Sequence, residues 1–156
     1  MTAVSSSVFF TGDDPSGGFL AGLDDDEIAT ILDYTQSRRF GSGESAVRAG
    51  EKNRSLYIVT SGRFEVLVPS PTGPLRATVF EPGDMFGELA FFDNQPRSAD
   101  VRAIDDSEAL IMTPAGFDRL RLANSRLAVR FVMDLGRILS VRFREYNTRL
   151  AALAEL

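Results

Sequence analysis

Residues 86–99 read FGELAFFDNQPRSA, and this stretch indicates the fold and the function of the chain more clearly than any other. It places the carboxylate of Glu88 nine residues before the guanidinium of Arg97, with Gly87 and Ser98 beside them. A glycine ahead of a short helix exposes backbone N–H groups to an anion, and the planar guanidinium matches two phosphate oxygens at once. Because a carboxylate would repel phosphate, we expect Glu88 to accept a hydrogen bond from a ribose hydroxyl. The two charges together indicate a nucleotide site.

The same stretch resembles the phosphate-binding cassette of cyclic nucleotide-binding domains. The family pattern runs F-G-E-L-A/G, then a few variable residues, then P-R-S/T/A-A. The residues that fit it are Phe86, Gly87, Glu88, Leu89, Ala90, Pro96, Arg97, Ser98 and Ala99. A Gly-Glu pair alone would mean little, but the full string at this spacing is highly specific. The resemblance extends from about Phe19 to the C-terminus.

The resemblance implies a role for each polar group of this cassette. Glu88 would bind the ribose 2′-hydroxyl, and Arg97 would bind the exocyclic oxygens of the cyclic phosphate. The groups that would complete the phosphate cradle are the Ser98 hydroxyl and the backbone N–H groups of Leu89, Ala90 and Ala99. As an isolated pair, Glu88 and Arg97 would more often form a surface salt bridge, but inside the full cassette ligand contact is favoured.

Four further residues are candidates for the base end of the site. Val66, Thr78 and Phe80 lie on strands that line the base pocket in relatives, although each also fits a plain core position. Arg142 lies in the helix region that caps the base in relatives, where the activator family often has hydroxyl side chains. Arg142 therefore either covers the purine or is a solvated arginine.

The choice of cyclic nucleotide depends on Ser98. In several families a threonine at this position favours cyclic GMP (cGMP) by bonding the guanine amino group. Alanine or serine there commonly goes with cyclic AMP (cAMP). The sequence therefore favours cAMP as the ligand, with cGMP as the alternative because serine retains a hydroxyl, and no further cofactor is expected.

The composition excludes several classes of function. The chain has 156 residues, enough for one domain with a packed core, and it contains neither cysteine nor histidine. Without cysteine it can form no disulfide framework and no thiolate metal site, and without histidine it lacks the usual general base and the commonest metal ligand. Cupins, which share the jelly-roll outline, hold their metal with histidines and are excluded. We expect a binding module and not an enzyme.

The charge and the hydropathy of the sequence argue against nucleic acid and membranes as direct partners. The net charge of −5 argues against nonspecific binding to the phosphate backbone of nucleic acid, because such binding depends on Lys and Arg. No apolar stretch approaches the ~20 residues of a membrane helix, and the N-terminus lacks the basic start of a signal peptide. We expect a cytoplasmic protein that binds neither nucleic acid nor membrane directly.

The chain divides into three segments. Residues 1–18, rich in Ser, Gly, Thr and Asp, are expected to be a flexible N-terminal segment whose apolar group Val8, Phe9 and Phe10 packs on the domain surface if it is ordered. Residues 19–124 are expected to form the ligand-binding domain, and residues 125–156 the C-terminal lid or dimerisation helix. The resemblance implies a mainly β fold: an eight-stranded, jelly-roll-like β-roll with an N-terminal helix and a long C-terminal helix.

Local patterns predict the elements within these segments. Asp24 and Glu27 form a capping pattern for a helix that we expect to run to about Arg39. Short strands rich in β-branched and aromatic residues follow between Phe40 and Met112. Ser61 and Gly62 are expected to close a hairpin. Two further features are predicted: a looser loop at residues 69–74 and a short helix at residues 114–123.

Two apolar stripes mark the C-terminal helix. Leu127, Phe131 and Leu135 recur every four residues and are expected to pack on the roll. The second stripe consists of Leu139, Phe143, Tyr146, Leu150 and Leu153. Its repeat of 3.5 residues allows two helices to wind around each other, which predicts a homodimer with parallel helices. The same helix forms the dimer in catabolite-activator relatives, although the stripe could instead pack within one chain.

The sequence ends at Leu156, without the winged helix-turn-helix that follows this helix in those relatives. We therefore expect a stand-alone sensor whose effector protein is unknown. Two alternatives remain open. One is an interaction module with a vestigial pocket, and the other is a domain, including a cGMP-binding one, excised from a channel, kinase or transcription factor.

Overall fold

A computed structural model describes residues 18–156 of the chain. Its eight strands are β1 (Gln36–Phe40), β2 (Ser45–Val47), β3 (Leu56–Ser61), β4 (Phe64–Val68), β5 (Leu75–Phe80), β6 (Met85–Phe86), β7 (Asp100–Ala103) and β8 (Ser107–Met112). Its four helices are α1 (Asp25–Leu32), α2 (Glu88–Asp93), α3 (Pro114–Ala123) and α4 (Ser125–Ala154).

The strands form two four-stranded antiparallel sheets, in the orders β1-β8-β3-β6 and β2-β7-β4-β5. Alternate residues of β3 point to opposite faces of its sheet, as the pleat requires. Tyr57 and Val59 join a core between the sheets, whereas Leu56 and Ile58 join a second core with the helices. The mainly β roll with flanking helices is therefore confirmed.

The helices pack on the outer face of the first sheet. The capping pattern of α1 is present, because the backbone N–H of Glu27 donates to Asp24 Oδ1 and the Glu27 carboxylate accepts from the Asp24 N–H. The stripe of Leu127, Phe131 and Leu135 on α4 is buried in the helical core, as predicted. This packing carries α4 past the roll, so its second half passes the mouth of the cavity described below.

Helix α1 is shorter than the sequence pattern predicts. It ends at Leu32 rather than near Arg39, and residues 36–40 instead form β1. Between Leu32 and Phe40 the chain offers only Tyr34 as an apolar residue, so a longer helix would have no apolar face to bury. Pairing with β8 satisfies the backbone of this stretch instead.

The prediction of a hairpin at Ser61 and Gly62 is also wrong. Strand β3 pairs with β8 and β6, whereas β4 pairs with β5 and β7, so this turn carries the chain from one sheet to the other. A turn residue reports local backbone conformation but not which sheet the next strand joins. Residues 69–74, in contrast, form the expected loop, which connects the paired strands β4 and β5.

Some expectations fall outside the described residues. The N-terminal segment at residues 1–18 lies outside them except for Gly18, and the apolar group Val8, Phe9 and Phe10 lies outside them entirely. Within residues 18–156, no helix combines the length and the apolar character that crossing a membrane requires.

Candidate functional site

One cavity of about 560 Å³ brings the sequence-predicted site residues together. Strands β4 and β5 form one wall, the segment from β6 through α2 to the start of β7 forms another, and α4 closes the mouth. All twelve candidates line it: Val66, Thr78, Phe80, Phe86, Gly87, Glu88, Leu89, Ala90, Arg97, Ser98, Ala99 and Arg142. This volume lies in the range of about 300 to 1,000 Å³ found for small-molecule sites. Whether each residue contacts a ligand stays a prediction.

Arg97 is buried at the bottom of this cavity, with 6% of its surface exposed. Its Nη1 donates to Gly87 O at 2.8 Å, and its Nη2 donates to Ser55 O at 2.6 Å and to Asn53 Oδ1 at 3.4 Å. All three acceptors are electrically neutral. Its Nε is buried and has no hydrogen-bond partner. The guanidinium is therefore held in place without having its charge neutralised.

Burial lowers the pKa of Arg97 from its ordinary value, and the attraction of Tyr57, Glu51 and Glu88 offsets only part of that effect. No carboxylate in residues 18–156 lies in ion-pair contact with its guanidinium. A buried cation is costly unless it is paired, and bonds to an ionised partner are the strong ones. The environment of Arg97 therefore favours an anionic partner from outside the protein.

Gly87 sits where a side chain would not fit. Its φ of 86° lies in the left-handed region, and it precedes α2, which has no side-chain cap at its N-terminus. A Cβ at this position would lie 2.8 Å from both Arg97 Nη1 and Ser55 O. The glycine thus allows the α2 backbone to approach the guanidinium directly, which keeps the first amides of α2 and the charge of Arg97 in the same cavity.

Glu88 pairs with Arg142 and not with Arg97. Glu88 Oε1 lies 3.4 Å from Arg142 Nη1, and the two side chains are 14% and 18% exposed. Arg142 Nη2 also donates to Met85 O at 2.6 Å, and its guanidinium lies 5.1 Å from the centre of the Phe80 ring. The surface salt bridge between Glu88 and Arg97 that the sequence left open is absent, and Arg142 is not a solvated arginine.

The remaining wall of the cavity is apolar and partly aromatic. The Phe80 and Phe86 rings stack with centres 5.6 Å apart, and Phe86 stacks on Tyr57 at 4.8 Å. This stack belongs to the core between the two sheets and forms one side of the cavity. A flat apolar wall beside a charged end suits a ligand that has both an aromatic base and an anionic group.

Sequence reasoning missed several lining residues. They are Val47, Val68, Ala77, Asp93, Gln95, Val101 and Tyr146, while Pro96 was recognised only as part of the cassette pattern. Tyr146 was assigned only to the dimer stripe, yet it also lines the cavity. The stripe spacing gave its position on α4 but not how far α4 reaches over the roll, which depends on the packing of Phe131 and Leu135.

Comparison with known families agrees with this geometry. A family model described as the cyclic nucleotide-binding domain matches residues 37–124, which is more than half of the chain. The matched region begins in β1 and ends after α3, so it contains all of the roll except Gln36 and every candidate site residue except Arg142.

Individual proteins named for cAMP are also similar to this chain. A CRP-like cAMP-activated global transcriptional regulator of Mycobacterium tuberculosis is 33% identical over 139 residues, which cover 87% of this chain and 59% of the relative. A cAMP-dependent protein kinase regulatory subunit of Emericella nidulans is 33% identical over 101 residues, which cover 65% of this chain and 24% of the relative. The chain thus spans about three fifths of the length of the transcriptional regulator and about one quarter of the length of the kinase regulatory subunit.

A solved structure shares the fold. The crystal structure of the catabolite activator protein of Thermus thermophilus superposes with a TM-score of 0.75 and 27% sequence identity. The match covers 87% of this chain and 62% of that one.

Proposed function

Because the chain belongs to the cyclic nucleotide-binding domain family, we propose that it is a cAMP sensor that couples ligand binding to movement of α4. Cyclic nucleotide binding and a regulatory role belong to this family, and the domain is not catalytic. The preference for cAMP, the movement of α4 and the dimer described below are our proposals.

One observation carries the proposal: Arg97 is a buried guanidinium with neutral acceptors on two of its nitrogens and no partner on the third. The cyclic phosphate would supply the missing negative charge, and Nε would gain an acceptor. Ser98 and the amides of Leu89, Ala90 and Ala99 would bind the remaining phosphate oxygens.

The choice of cAMP is supported by Ser98 and by the relatives. Two of the relatives are named for cAMP, one as cAMP-activated and the other as cAMP-dependent. Ser98 is the small side chain that commonly accompanies cAMP in this family. The base would lie against Phe80 and Val66, with Thr78 at its edge.

The coupling to α4 would pass through Glu88. In the structure Glu88 pairs with Arg142 of α4, but the ribose 2′-hydroxyl is expected to use the same carboxylate. Ligand would therefore change the contact that holds α4 over the cavity, and Arg142 would be released toward the base. A ligand shifts a conformational equilibrium only through unequal affinity for its two states. Competition for one carboxylate provides such a difference.

The second half of α4 is available for a homodimer. Phe143, Leu150 and Leu153 are each more than 60% exposed, and Tyr146 is 47% exposed. These residues follow the 3.5-residue repeat of a two-stranded coiled coil. Since Tyr146 also lines the cavity, the same residue would contact the ligand site and the second chain.

Titration of the full chain with cAMP, cGMP and 5′-AMP by calorimetry tests the ligand. We expect binding to cAMP, weaker binding to cGMP and far weaker binding to 5′-AMP, because the open phosphate has a different charge and shape. Absence of heat with every ligand would reject the sensor and favour an interaction module with a vestigial pocket.

Spin-label distances test the movement. The chain has no cysteine, so paired cysteines at Ser37 on β1 and Thr148 on α4 can be labelled without background. The proposal predicts a changed distance on adding saturating cAMP, whereas a control pair at Ser37 and Asp118 on α3 stays unchanged. An unchanged Ser37 to Thr148 distance would reject the coupling.

A further inference from the structure

A second groove lies on the outer side of α2. It has a volume of about 680 Å³ and runs between α2 and the middle of α4. Its apolar residues are Leu89 and Phe92 of α2 and Val132, Met133 and Leu139 of α4. Leu89, Phe92 and Met133 are 54%, 42% and 68% exposed. Gly136 forms part of the floor, and a Cβ there would meet nothing within 4 Å. The groove is therefore open, apolar and unfilled among residues 18–156.

The described chain starts at the edge of this groove. Arg137, which lines the groove, donates from Nη2 to Gly18 O at 2.9 Å. The Leu20 N–H donates to Asp134 Oδ2 at 2.5 Å, and the Phe19 ring packs against Phe131 at 5.7 Å. Leu20 holds an unusual φ of 66° and is fully buried, so these contacts fix the chain firmly to α4.

We propose that the N-terminal segment, residues 1–17, docks into this groove with Phe9 and Phe10 against Leu89, Phe92 and Met133. Its apolar residues outside positions 8–10 are the scattered Met1, Ala3, Val4 and Pro15, so the group at residues 8–10 is its main apolar surface. Two phenylalanine side chains bring large apolar area for little loss of side-chain entropy. They match a groove that has apolar walls and an open floor.

The stretch between Phe10 and Gly18, here called the tether, is long enough to reach the groove and short enough to keep the phenylalanines near it. Seven residues lie between Phe10 and Gly18, so eight Cα–Cα steps join them. They span at most about 26 Å when extended and roughly 16 Å on average as a flexible chain, while Met133 lies one helical turn of about 5.4 Å from Arg137. A short tether gives a local concentration in the millimolar range, so even a weak contact is populated.

Charge favours the same segment as the occupant of this groove. Between Phe10 and Gly18 the segment carries Asp13 and Asp14, and α4 carries six arginines against one aspartate and one glutamate. An acidic tether is attracted to a basic helix. Because Leu89 and Asp93 line both the groove and the ligand cavity, the docked segment contacts the helix that shapes the ligand site.

Paramagnetic relaxation tests the docking without any ligand. A nitroxide on a single cysteine at Ser7 (S7C) of the full chain should broaden the methyl signals of Met133 and Leu89, but not those of Leu75 or Leu122, which are exposed elsewhere. In the same labelled chain, F9S/F10S keeps the tether and removes the aromatic groups. We expect the broadening at Met133 and Leu89 to fall at least about threefold.

A groove variant gives a second test. Gly136→Leu fills the open floor and raises helix propensity, so the chain should fold while the segment is displaced. Loss of broadening at Leu89 in this variant supports docking. Broadening that is equal with and without Phe9 and Phe10, or unchanged in Gly136→Leu, would overturn it. Broadening found only between a labelled and an unlabelled chain in a mixture would also overturn it, because the occupant would then be a second copy.

Discussion

Glu88 Oε1 and Arg142 Nη1 lie 3.4 Å apart, so a carboxylate from the start of α2 meets a guanidinium from α4 across the mouth of the cavity. Arg142 is also tied to Met85 O at 2.6 Å. These contacts attach the second half of α4 to the roll at a point where few apolar residues of the helix are buried. The helix is thus held by polar contacts that a ligand could exchange.

The first prediction concerns this attachment. Replacing Arg142 by alanine should increase hydrogen exchange of the amides at residues 139–154 by about threefold or more without ligand, because the ion pair and the bond to Met85 are lost. Mass spectrometry of deuterium uptake measures this. Arg144→Ala, an exposed arginine on the same helix, is the control and should change little. Equal uptake in the two variants would show that Arg142 does not hold α4.

The second prediction separates backbone strain from crowding at Gly87. Gly43 and Gly87 have nearly the same φ, 84° and 86°, but a Cβ at Gly43 meets nothing within 4 Å. Gly43→Ala should lower the free energy of unfolding by about 1 to 2 kcal/mol through strain alone. Gly87→Ala should cost a further 1 to 3 kcal/mol, roughly, because its Cβ meets Arg97 and Ser55. Urea denaturation measures both, and equal losses would contradict the close approach.

The third prediction concerns Glu65, a buried carboxylate outside the ligand cavity. It is 5% exposed and pairs with Arg102 at 2.6 Å and Arg76 at 2.5 Å. The hydrogen bond from Arg102, followed by that from Arg76, lowers the pKa of Glu65 below its ordinary value. A lowered pKa means that this carboxylate contributes stability above the unfolded-state pKa and loses it as pH falls through the folded-state value.

Glu65→Gln should therefore lower the free energy of unfolding at pH 7 by about 1.5 to 3 kcal/mol. The difference from the unchanged chain should shrink as pH falls below about 4, where the carboxylate becomes protonated. Denaturation curves at a series of pH values measure it. A difference that is constant from pH 7 to pH 3 would show that charge on Glu65 contributes nothing.

The fourth prediction concerns the dimer. Leu150→Lys places a charge in the exposed stripe of α4, so light scattering should give the mass of one chain in place of two. Leu122→Lys is the control, because Leu122 is 77% exposed on α3 and lies outside the stripe. A mass that is the same for both variants and the unchanged chain would remove the stripe from the contact.

The sequence predicted the parts of the molecule whose pattern is local. The cassette string, the capping pair of Asp24 and Glu27, and the buried stripe on α4 each depend on spacing within a few turns of chain. The end of α1 and the turn at Ser61 and Gly62 were predicted wrongly, because long-range strand pairing decided them. In residues 33–39 the only local sign that the helix ends and a strand follows is the shortage of apolar residues.

The sequence brought twelve of the cavity-lining residues into one candidate site, but it did not predict their contacts. The motif placed Glu88 and Arg97 in one site, yet no local rule pairs Glu88 with Arg142, which lies far along the sequence. The neutral acceptors of Arg97 come from Ser55, Asn53 and Gly87, and two of these precede the motif by many residues. Only tertiary packing brings them together.

Calorimetric titration of Arg97→Ala with cAMP, beside the unchanged chain and Arg63→Ala, measures whether the buried guanidinium binds the cyclic phosphate. Arg63 forms an exposed pair with Asp105 outside the cavity, so its loss should leave affinity unchanged. We predict that Arg97→Ala weakens cAMP binding at least about tenfold, since a hydrogen bond to a charged group contributes about 1.5 to 3 kcal/mol. Equal affinity of all three proteins for cAMP would show that Arg97 does not bind the phosphate.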